Sequence, residues 1–369
     1  MSVAADRFRR FLLPGLAFKA VVIGGGYATG RELAEFFLPF GPWGGVAAMA
    51  FAMLIWSLVA AATFAVAFRT GARDYRHFFE TLLGRGWFVF EIAYAVFVVL
   101  ILAVFGAAAG AIAHATLGLP AMVGTIALMV AIMGCVAFGN AGVERSFMAL
   151  SVLLYATYAI FLVLSLTGVG SEIEQAFASA PAPAGEWPLG GLTYAGYNII
   201  GAVMILPVTR HFRSRRDAIT AGLVAGPLAM LPALLFFVSM VAFLPDIADA
   251  VLPSDYILGR LGLPAFNFVF QLMIFAALLE SGIGAVHAVN ERIDKTRDVV
   301  MTAPMRVALA FAILFPCMLV ADRVGLVDLI ASGYRALAWV IIAVYVLPLF
   351  AYVAWRRVKR TPVPAPEAT

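Results

Sequence analysis

The stretch Val21-Val-Ile-Gly-Gly-Gly-Tyr-Ala-Thr-Gly-Arg-Glu-Leu-Ala-Glu-Phe-Phe37 decides how the rest of the chain is interpreted. It starts as an apolar helix, passes through Gly24, Gly25, Gly26 and Gly30, and continues with charged residues among apolar neighbours. Because each glycine costs a helix interior about 1 kcal/mol, the stretch predicts a helix that stops and restarts. The alternative is that the glycines only permit close packing between helices.

The composition indicates an integral membrane protein. Of the 369 residues, 63% are hydrophobic and 12% are charged, with a mean hydropathy of +0.98, whereas soluble domains carry about 25% charged residues. Separate apolar runs of about 20 residues predict a polytopic, all-α protein. The net charge of +4 does not indicate nucleic-acid binding. Cys135 and Cys317 lie within apolar runs, which argues against a disulfide framework or a metal site.

We predict ten transmembrane helices in one domain, residues 1–360, followed by a disordered cytoplasmic tail, 361–369. The spans are about 14–37, 43–69, 87–114, 120–138, 147–168, 190–209, 217–244, 264–290, 303–321 and 326–355. If the N-terminus is cytoplasmic, only Arg260 and Arg323 of the 25 basic residues fall in outer loops, and Arg31 and Arg335 lie within spans. Since basic residues concentrate in cytoplasmic loops, both termini are predicted on the inner side of a bacterial-type plasma membrane.

Span 6 repeats the pattern of span 1. The segment Gly190–Pro207 is again apolar and is interrupted by Gly196, Asn198 and Gly201. Similar short motifs also follow the second span of each half, Asp74-Tyr75 with Gly84-Arg85 and Asp255-Tyr256 with Gly259-Arg260. Because each half has five spans, the two repeats, about 14–168 and 190–355, are predicted to have inverted topology. Two interrupted helices in matching positions of inverted repeats point to a transporter's central site.

Three motifs carry a resemblance to a known family: Gly24-Gly-Gly-Tyr-Ala-Thr-Gly-Arg-Glu32, Tyr194-Ala-Gly-Tyr-Asn198 and Glu280-Ser-Gly-Ile-Gly-Ala-Val-His-Ala-Val-Asn-Glu-Arg-Ile293. They resemble the YkvI-like membrane proteins, which are grouped with amino acid permeases of the amino acid–polyamine–organocation superfamily. The resemblance extends to about Arg360 and implies a leucine-transporter-type fold with broken helices 1 and 6 and alternating-access transport. That family usually has Gln in place of Arg31, which argues against a plain neutral amino acid as substrate.

The substrate site is predicted between the two broken helices, with a contribution from span 3. Its candidate residues are Gly24, Gly25, Gly26, Tyr27, Ala28, Thr29, Gly30, Arg31, Tyr94, Tyr194, Tyr197 and Asn198. The Arg31 guanidinium, next to the amides of a helix N-terminus, could bind the acidic group of a small zwitterion or organic anion. Alternatively, Arg31 is neutralised by Glu32, Glu35 or Glu280 as part of a gate. The span 6 residues and Tyr94 have packing roles as their alternative.

Glu280 lies near the middle of span 8, where an ionised carboxylate is costly unless it is paired or hydrated. In the fold implied by the resemblance, spans 1 and 8 form a sodium site, for which Ser281 and the carbonyls of Gly24 and Tyr27 are candidates. Two mechanisms remain open, a Na⁺ site that includes Glu280 and a coupling proton on Glu280. A permanent salt bridge to Arg31 or Arg335 is the alternative.

We also predict gating roles for Glu32, Glu35 and Arg335, with Arg335 as the outer partner of either glutamate. No Gly-xxxx-Gly-Lys-Ser/Thr motif is present, which argues against ATP-driven transport. The prediction is an ion-coupled secondary transporter of an amino acid or related small organic acid, with Na⁺ or H⁺ as coupling ion and no other cofactor. A channel or a non-transporting sensor is the first alternative, and an intramembrane enzyme using Glu280 and Glu32 is the second.

Overall fold

A computed structural model describes residues 6–22, 24–138, 156–297 and 302–358, and the described part of the chain is helical, without strands. The predicted tail and the first part of predicted span 5, 147–155, lie outside it. The α-helices are α1 Leu13–Val22, α2 Gly25–Thr29, α3 Arg31–Phe36, α4 Gly41–Thr70, α5 Tyr75–Leu83, α6 Phe88–Leu117, α7 Ala121–Phe138, α8 Ala156–Gly168, α9 Gly170–Ser179, α10 Trp187–Asn198, α11 Ile200–Met204, α12 Arg215–Val241, α13 Pro253–Arg260, α14 Pro264–Arg297, α15 Ala303–Asp328, α16 Arg335–Ile341 and α17 Leu347–Val358.

Five helical stretches of the described chain are long and apolar enough to cross a membrane, or six when the bent pair α8 and α9 is counted as one span. Two of these stretches, Arg31–Thr70 and Ala303–Arg356, contain 40 and 54 residues. A span needs only about 20 residues, so the longer stretch includes bends, one of them at Gly325, which has φ 79° and ψ 167°. The helices follow the predicted spans, and the number of ten crossings stays a prediction.

The helices pack in two groups. In the first group α12 packs against α1 and α4, and α10 packs against α4, so that the first two predicted spans of each half contact one another. In the second group α6, α7 and α15 pack together, and α14 joins α6 and α7. Lipid offers little hydrophobic driving force for helix association, so membrane helices depend on close packing. Small residues permit this close packing. For example, a Cβ added to Gly222 would overlap the backbone of Ala61.

The first predicted break is present. The helix ends at Val22, and Gly24 is extended, with φ −97° and ψ −172°, before α2 begins. Gly30 then separates α2 from α3 with φ 84°, a left-handed conformation that suits glycine. The glycine-rich stretch thus forms three short helices, as its cost to a continuous helix predicts.

The second predicted break is much smaller. Only Ile199 interrupts the helix between α10 and α11, and it keeps right-handed angles, φ −63° and ψ −17°. The glycines there serve close packing instead. A Cβ on Gly196 would lie 3.0 Å from the Ala338 side chain, and one on Gly201 would lie 3.1 Å from Val21. The packing interpretation therefore applies to these glycines. Further along, the chain forms a 3-10 helix at Leu206–His211.

The two loops predicted to be equivalent each form a short helix. α5 has 9 residues and follows the second span of the first half, and α13 has 8 residues and follows the second span of the other half. Asp74 caps α5 by accepting a hydrogen bond from the His77 amide at 2.9 Å. The terms inner and outer below use the orientation that the basic residues predict, with α5 on the inner side and α13 on the outer side.

Candidate functional site

The break in the first helix places two charged residues in the interior. Arg31 and Glu32, the first residues of α3, are only 5% and 4% exposed. Gly30, which precedes them, lies close to α12 and α13. A Cβ added to Gly30 would lie 2.7 Å from the Phe236 ring of α12 and 3.0 Å from Pro253 of α13. The left-handed residue Gly30 therefore fixes where α3 begins and which neighbours its charges meet.

Arg31 is held by the connection between α12 and α13. Its Nη1 donates to the carbonyl oxygens of Ala248 and Ala250 at 2.9 and 3.0 Å. Its Nη2 donates to Glu35 Oε2 at 3.2 Å, one turn along α3. The guanidinium thus closes the outer side of the break by tying α3 to residues 248–250.

A second basic residue completes this closure. Arg335, at the start of α16, lies 3.6 Å from Glu35 Oε1, and its side chain is 56% exposed. We call Arg31, Glu35 and Arg335 the outer ion network. Of the two partners predicted for Arg335, the structure selects Glu35, and Arg31 likewise pairs with Glu35.

Glu32 has a different environment. Its Oε2 accepts a hydrogen bond from the Tyr197 hydroxyl of α10 at 2.6 Å. Among the described residues, no Lys, Arg or His side chain forms an ion pair with it. Glu32 therefore joins the first and sixth predicted spans through a neutral donor, with no basic side chain paired to it among the described residues.

Aromatic side chains surround this contact. The Tyr197 ring lies 4.4 Å from the Tyr334 ring and 5.7 Å from the Tyr194 ring, measured between centroids. We call Tyr194, Tyr197 and Tyr334 the tyrosine cluster. Phe36 extends it, with its ring 5.8 Å from that of Tyr197. The Tyr194 hydroxyl is buried and has no hydrogen-bond partner in the described part of the chain.

The remaining residues of the first motif form the inner wall of the break. Tyr27, Ala28 and Thr29 are buried, and the Tyr27 ring lies 6.2 Å from that of Tyr158 in α8. The carbonyl oxygens of Gly24 and Tyr27 each accept one backbone hydrogen bond, at 3.0 Å. Gly25 and Gly26 belong to the backbone of α2.

The helix that carries the proposed coupling residues packs against this wall. α14 contacts α2, and both Glu280 and Ser281 are half-buried on α14. A carbonyl oxygen has two lone pairs, so Gly24 and Tyr27 keep acceptor capacity. The sodium site and the coupling role of Glu280 stay predictions.

Two predicted site residues, Tyr94 and Asn198, make contacts away from the break or within their own helix. Tyr94 packs with Tyr75 and Phe90, at centroid distances of 5.6 and 6.4 Å, near the inner end of α6. The α6 residue next to the break is instead Phe105, whose ring would be 3.6 Å from a Cβ on Gly24. Asn198 uses its side-chain amide within α10, donating to the Tyr194 carbonyl at 3.2 Å.

A second ion network closes the inner side. Asp6 accepts from Arg213 at 2.6 Å and pairs with Arg10 at 3.2 Å, while Arg10 donates to Asp217 at 3.1 Å. The sequence patterns did not predict this network. The only hint in the sequence is the i,i+4 spacing of Asp6 and Arg10, because their partners lie 207 positions away.

A separate cavity of about 470 Å³ borders the segment that Arg31 holds. Ala250 and Leu252 line it from that segment, together with residues of α6, α7 and α15, including Asp322. Neither Glu32 nor the tyrosine cluster lines this cavity. The described residues also contain no group of three or more His, Cys, Asp or Glu side chains that could hold a metal ion.

Comparisons with known proteins agree with the architecture. No model of a known protein family matches the chain. It is 24% identical over 340 residues to the uncharacterised membrane protein YkvI of Bacillus subtilis, an alignment that covers 89% of this chain and 92% of YkvI.

Solved transporter structures are similar in fold. The structure of MhsT in complex with L-phenylalanine matches with a TM-score of 0.62 and 18% identity, covering 89% of this chain and 87% of MhsT. A variant of the Eremococcus coleocola manganese transporter matches with a TM-score of 0.58 and 13% identity, covering 91% and 77%. The resemblance stated from the sequence is therefore confirmed: the chain is similar to the membrane protein YkvI over most of its length, and it has the leucine-transporter-type fold.

Proposed function

We propose that this protein is an ion-coupled secondary transporter of an amino acid or a related small organic solute. One observation carries the proposal: the buried break in the first helix lies between two separate ion networks, one on each side. The outer ion network holds residues 248–250 over the break. The inner network joins the N-terminal segment to the start of α12. Alternating access requires two such closures that open in turn.

The two networks have energies suited to reversible opening. Arg335 and Arg213 are more than half exposed in their ion pairs. Exposed ion pairs typically contribute less than about 1 kcal/mol, so solvent can replace them at little cost. Two contacts are more buried: Arg31, with three donated hydrogen bonds, and the Arg10–Asp217 pair of the inner network, whose side chains are 20% and 9% exposed. In the proposal Arg31 acts as a gate residue, because both of its terminal nitrogens already donate to the protein, and only its Nε has no partner in the described part of the chain.

The substrate class and the coupling ion complete the proposal. MhsT, a structural neighbour, was solved with L-phenylalanine, which supports an amino acid or a related solute. Glu280 and Ser281 on α14, the helix that packs against α2, are the proposed residues for Na⁺ or proton coupling. The proposed setting is a bacterial-type plasma membrane with both termini cytoplasmic.

Uptake into proteoliposomes tests this function. Purified protein is reconstituted, and accumulation of a labelled amino acid mixture is followed under an inward Na⁺ gradient or an inward proton gradient. Accumulation above the external concentration, abolished by sodium removal or a protonophore, is expected. Equilibration without accumulation would favour a channel and contradict the proposal.

Two variants then identify the coupling ion. If Na⁺ is the coupling ion, uptake requires sodium and Ser281→Ala abolishes the sodium-driven accumulation. If a proton is coupled, uptake is independent of sodium and Glu280→Gln removes accumulation. Glu174→Gln, an exposed change on α9, serves as the matched control.

A further inference from the structure

In the part of the chain that the structure describes, no cation pairs with the buried carboxyl of Glu32. Its described contact is the hydroxyl of Tyr197, a neutral donor, and a carboxylate at this depth is costly unless a cation or hydrogen bonds compensate it. Two basic residues that adjoin this site in the chain, Arg31 next to Glu32 and Arg335 next to Tyr334, are already committed. Arg31 donates to two carbonyls and to Glu35, and Arg335 also pairs with Glu35.

The walls around this carboxyl suit an ammonium group. The rings of the tyrosine cluster and Phe36 lie within 4.4 to 5.8 Å of the Tyr197 ring. Aromatic faces attract ammonium groups electrostatically, and aromatic cages recognise them. The unpartnered hydroxyl of Tyr194 adds a buried acceptor that an N–H donor can use.

Other cations fit these residues less well. A divalent metal ion takes several oxygen or nitrogen ligands, and the described residues contain no group of three or more candidate ligand side chains. A simple organic anion would meet the Glu32 carboxyl and the negative faces of the rings. Both terminal nitrogens of Arg31 already donate within the outer ion network or to residues 248–250, and only its Nε has no partner among the described residues. An incoming anion would therefore meet a guanidinium that is already largely committed.

We infer that Glu32 and the tyrosine cluster bind the ammonium group of the solute. The substrate class is therefore amine-bearing, an amino acid or an amine, rather than a simple organic acid. This inference rests on the proposed function, because it places the solute at the break between the first and sixth spans. It differs from the sequence prediction, in which Arg31 receives an acidic group.

The test compares three probes that share a phenyl group. L-Phenylalanine carries both charged groups, 2-phenylethylamine carries only the ammonium group, and 3-phenylpropionate carries only the carboxylate. Binding to the purified full-length protein is measured in detergent by thermal shift, since a ligand of the folded state raises the melting temperature. The amino acid and the amine are expected to bind, and the acid is not.

Glu32→Gln tests the carboxylate while keeping the side-chain shape. It is expected to weaken binding of 2-phenylethylamine by at least about 30-fold, because it leaves the ammonium group without its buried counter-charge. Glu172→Gln is the matched control, since Glu172 is exposed on α9, and it should bind the amine as the wild type does. If Glu32→Gln does not fold, Glu32→Asp keeps the charge and should bind the amine more weakly while still rejecting the acid.

Three outcomes would overturn the inference. They are unchanged amine affinity in a folded Glu32→Gln variant, binding of the acid as tight as that of the amine, and failure of both amine-bearing probes to bind. Unchanged amine affinity combined with loss of the pH dependence of uptake would assign Glu32 to a proton instead. Because binding is measured without a membrane gradient, Glu32-dependent amine binding without uptake would support the inference and contradict the proposed transport.

Discussion

Replacing Gly30 by alanine should disfavour closure of the outer side. Gly30 has φ 84°, and an added Cβ would lie 2.7 Å from Phe236 Cζ and 3.0 Å from Pro253 Cβ. Two costs therefore combine at this residue. A left-handed conformation costs a non-glycine residue about 1–2 kcal/mol, and overpacking in a filled interior costs about 1–3 kcal/mol.

The expected destabilisation is the sum of these costs, about 2–5 kcal/mol. Gly71 provides the matched control, because it has φ 71° at the end of α4 and nothing within 4 Å of an added Cβ. Gly71→Ala should therefore show only the conformational cost, about 1–2 kcal/mol. Thermal unfolding in detergent compares the two variants, and about 2 °C of melting temperature corresponds to each kcal/mol in a large chain.

The result that refutes this reasoning is a Gly30→Ala variant no less stable than Gly71→Ala. A double variant separates the two costs, since Phe236→Leu removes the ring that the added Cβ would meet. Gly30→Ala should cost less in the Phe236→Leu background than in the wild type, by up to the overpacking term of about 1–3 kcal/mol. Equal costs in both backgrounds would show that contact with Phe236 does not matter.

Three further tests, which use five variants, examine other contacts by thermal unfolding or hydrogen exchange. Arg31→Gln should destabilise the folded protein by about 2 kcal/mol or more, because it removes three charge-assisted hydrogen bonds. Arg335→Gln, at an exposed residue, should cost less than about 1 kcal/mol. Equal destabilisation by the two variants would contradict this prediction. Gly222→Ala should destabilise the folded protein by about 3 kcal/mol, because the added Cβ meets the α4 backbone. Gly134→Ala, where the added Cβ has open space around it, should be neutral or stabilising. A Gly222→Ala variant as stable as the wild type would refute the close approach of the two helices. Arg10→Gln should accelerate amide exchange in residues 6–12 by releasing them from α12, and unchanged exchange would mean that other contacts hold this segment.

Local sequence signals predicted the features that depend on local energies. The run from Gly24 to Gly30 breaks the first helix because each glycine weakens it. The pairing of Arg335 with one of two glutamates was also predicted, since buried or half-buried charges in a span need partners. The leucine-transporter-type fold followed from the resemblance carried by the motifs of spans 1, 6 and 8.

Other features depend on distances that a sequence does not contain. Gly196 and Gly201 resemble the glycines of the first break, yet they contact Ala338 and Val21, and their helix is nearly continuous. Tyr94 is an aromatic residue of the right helix, but it packs near the inner end of α6. The structure alone distinguishes a glycine that breaks a helix from one that admits a neighbour.

By itself the sequence determined the membrane class, the predicted spans and the break in the first helix. Each of these follows from composition or from the conformational cost of particular residues. The tertiary structure decided which charges meet. Arg31 and Glu32 are adjacent in the chain, yet one is bound by carbonyls of residues 248 and 250 and the other by Tyr197. The partner of a charged residue depends on which distant segments fold against it, and here those partners lie 165 to 219 positions away.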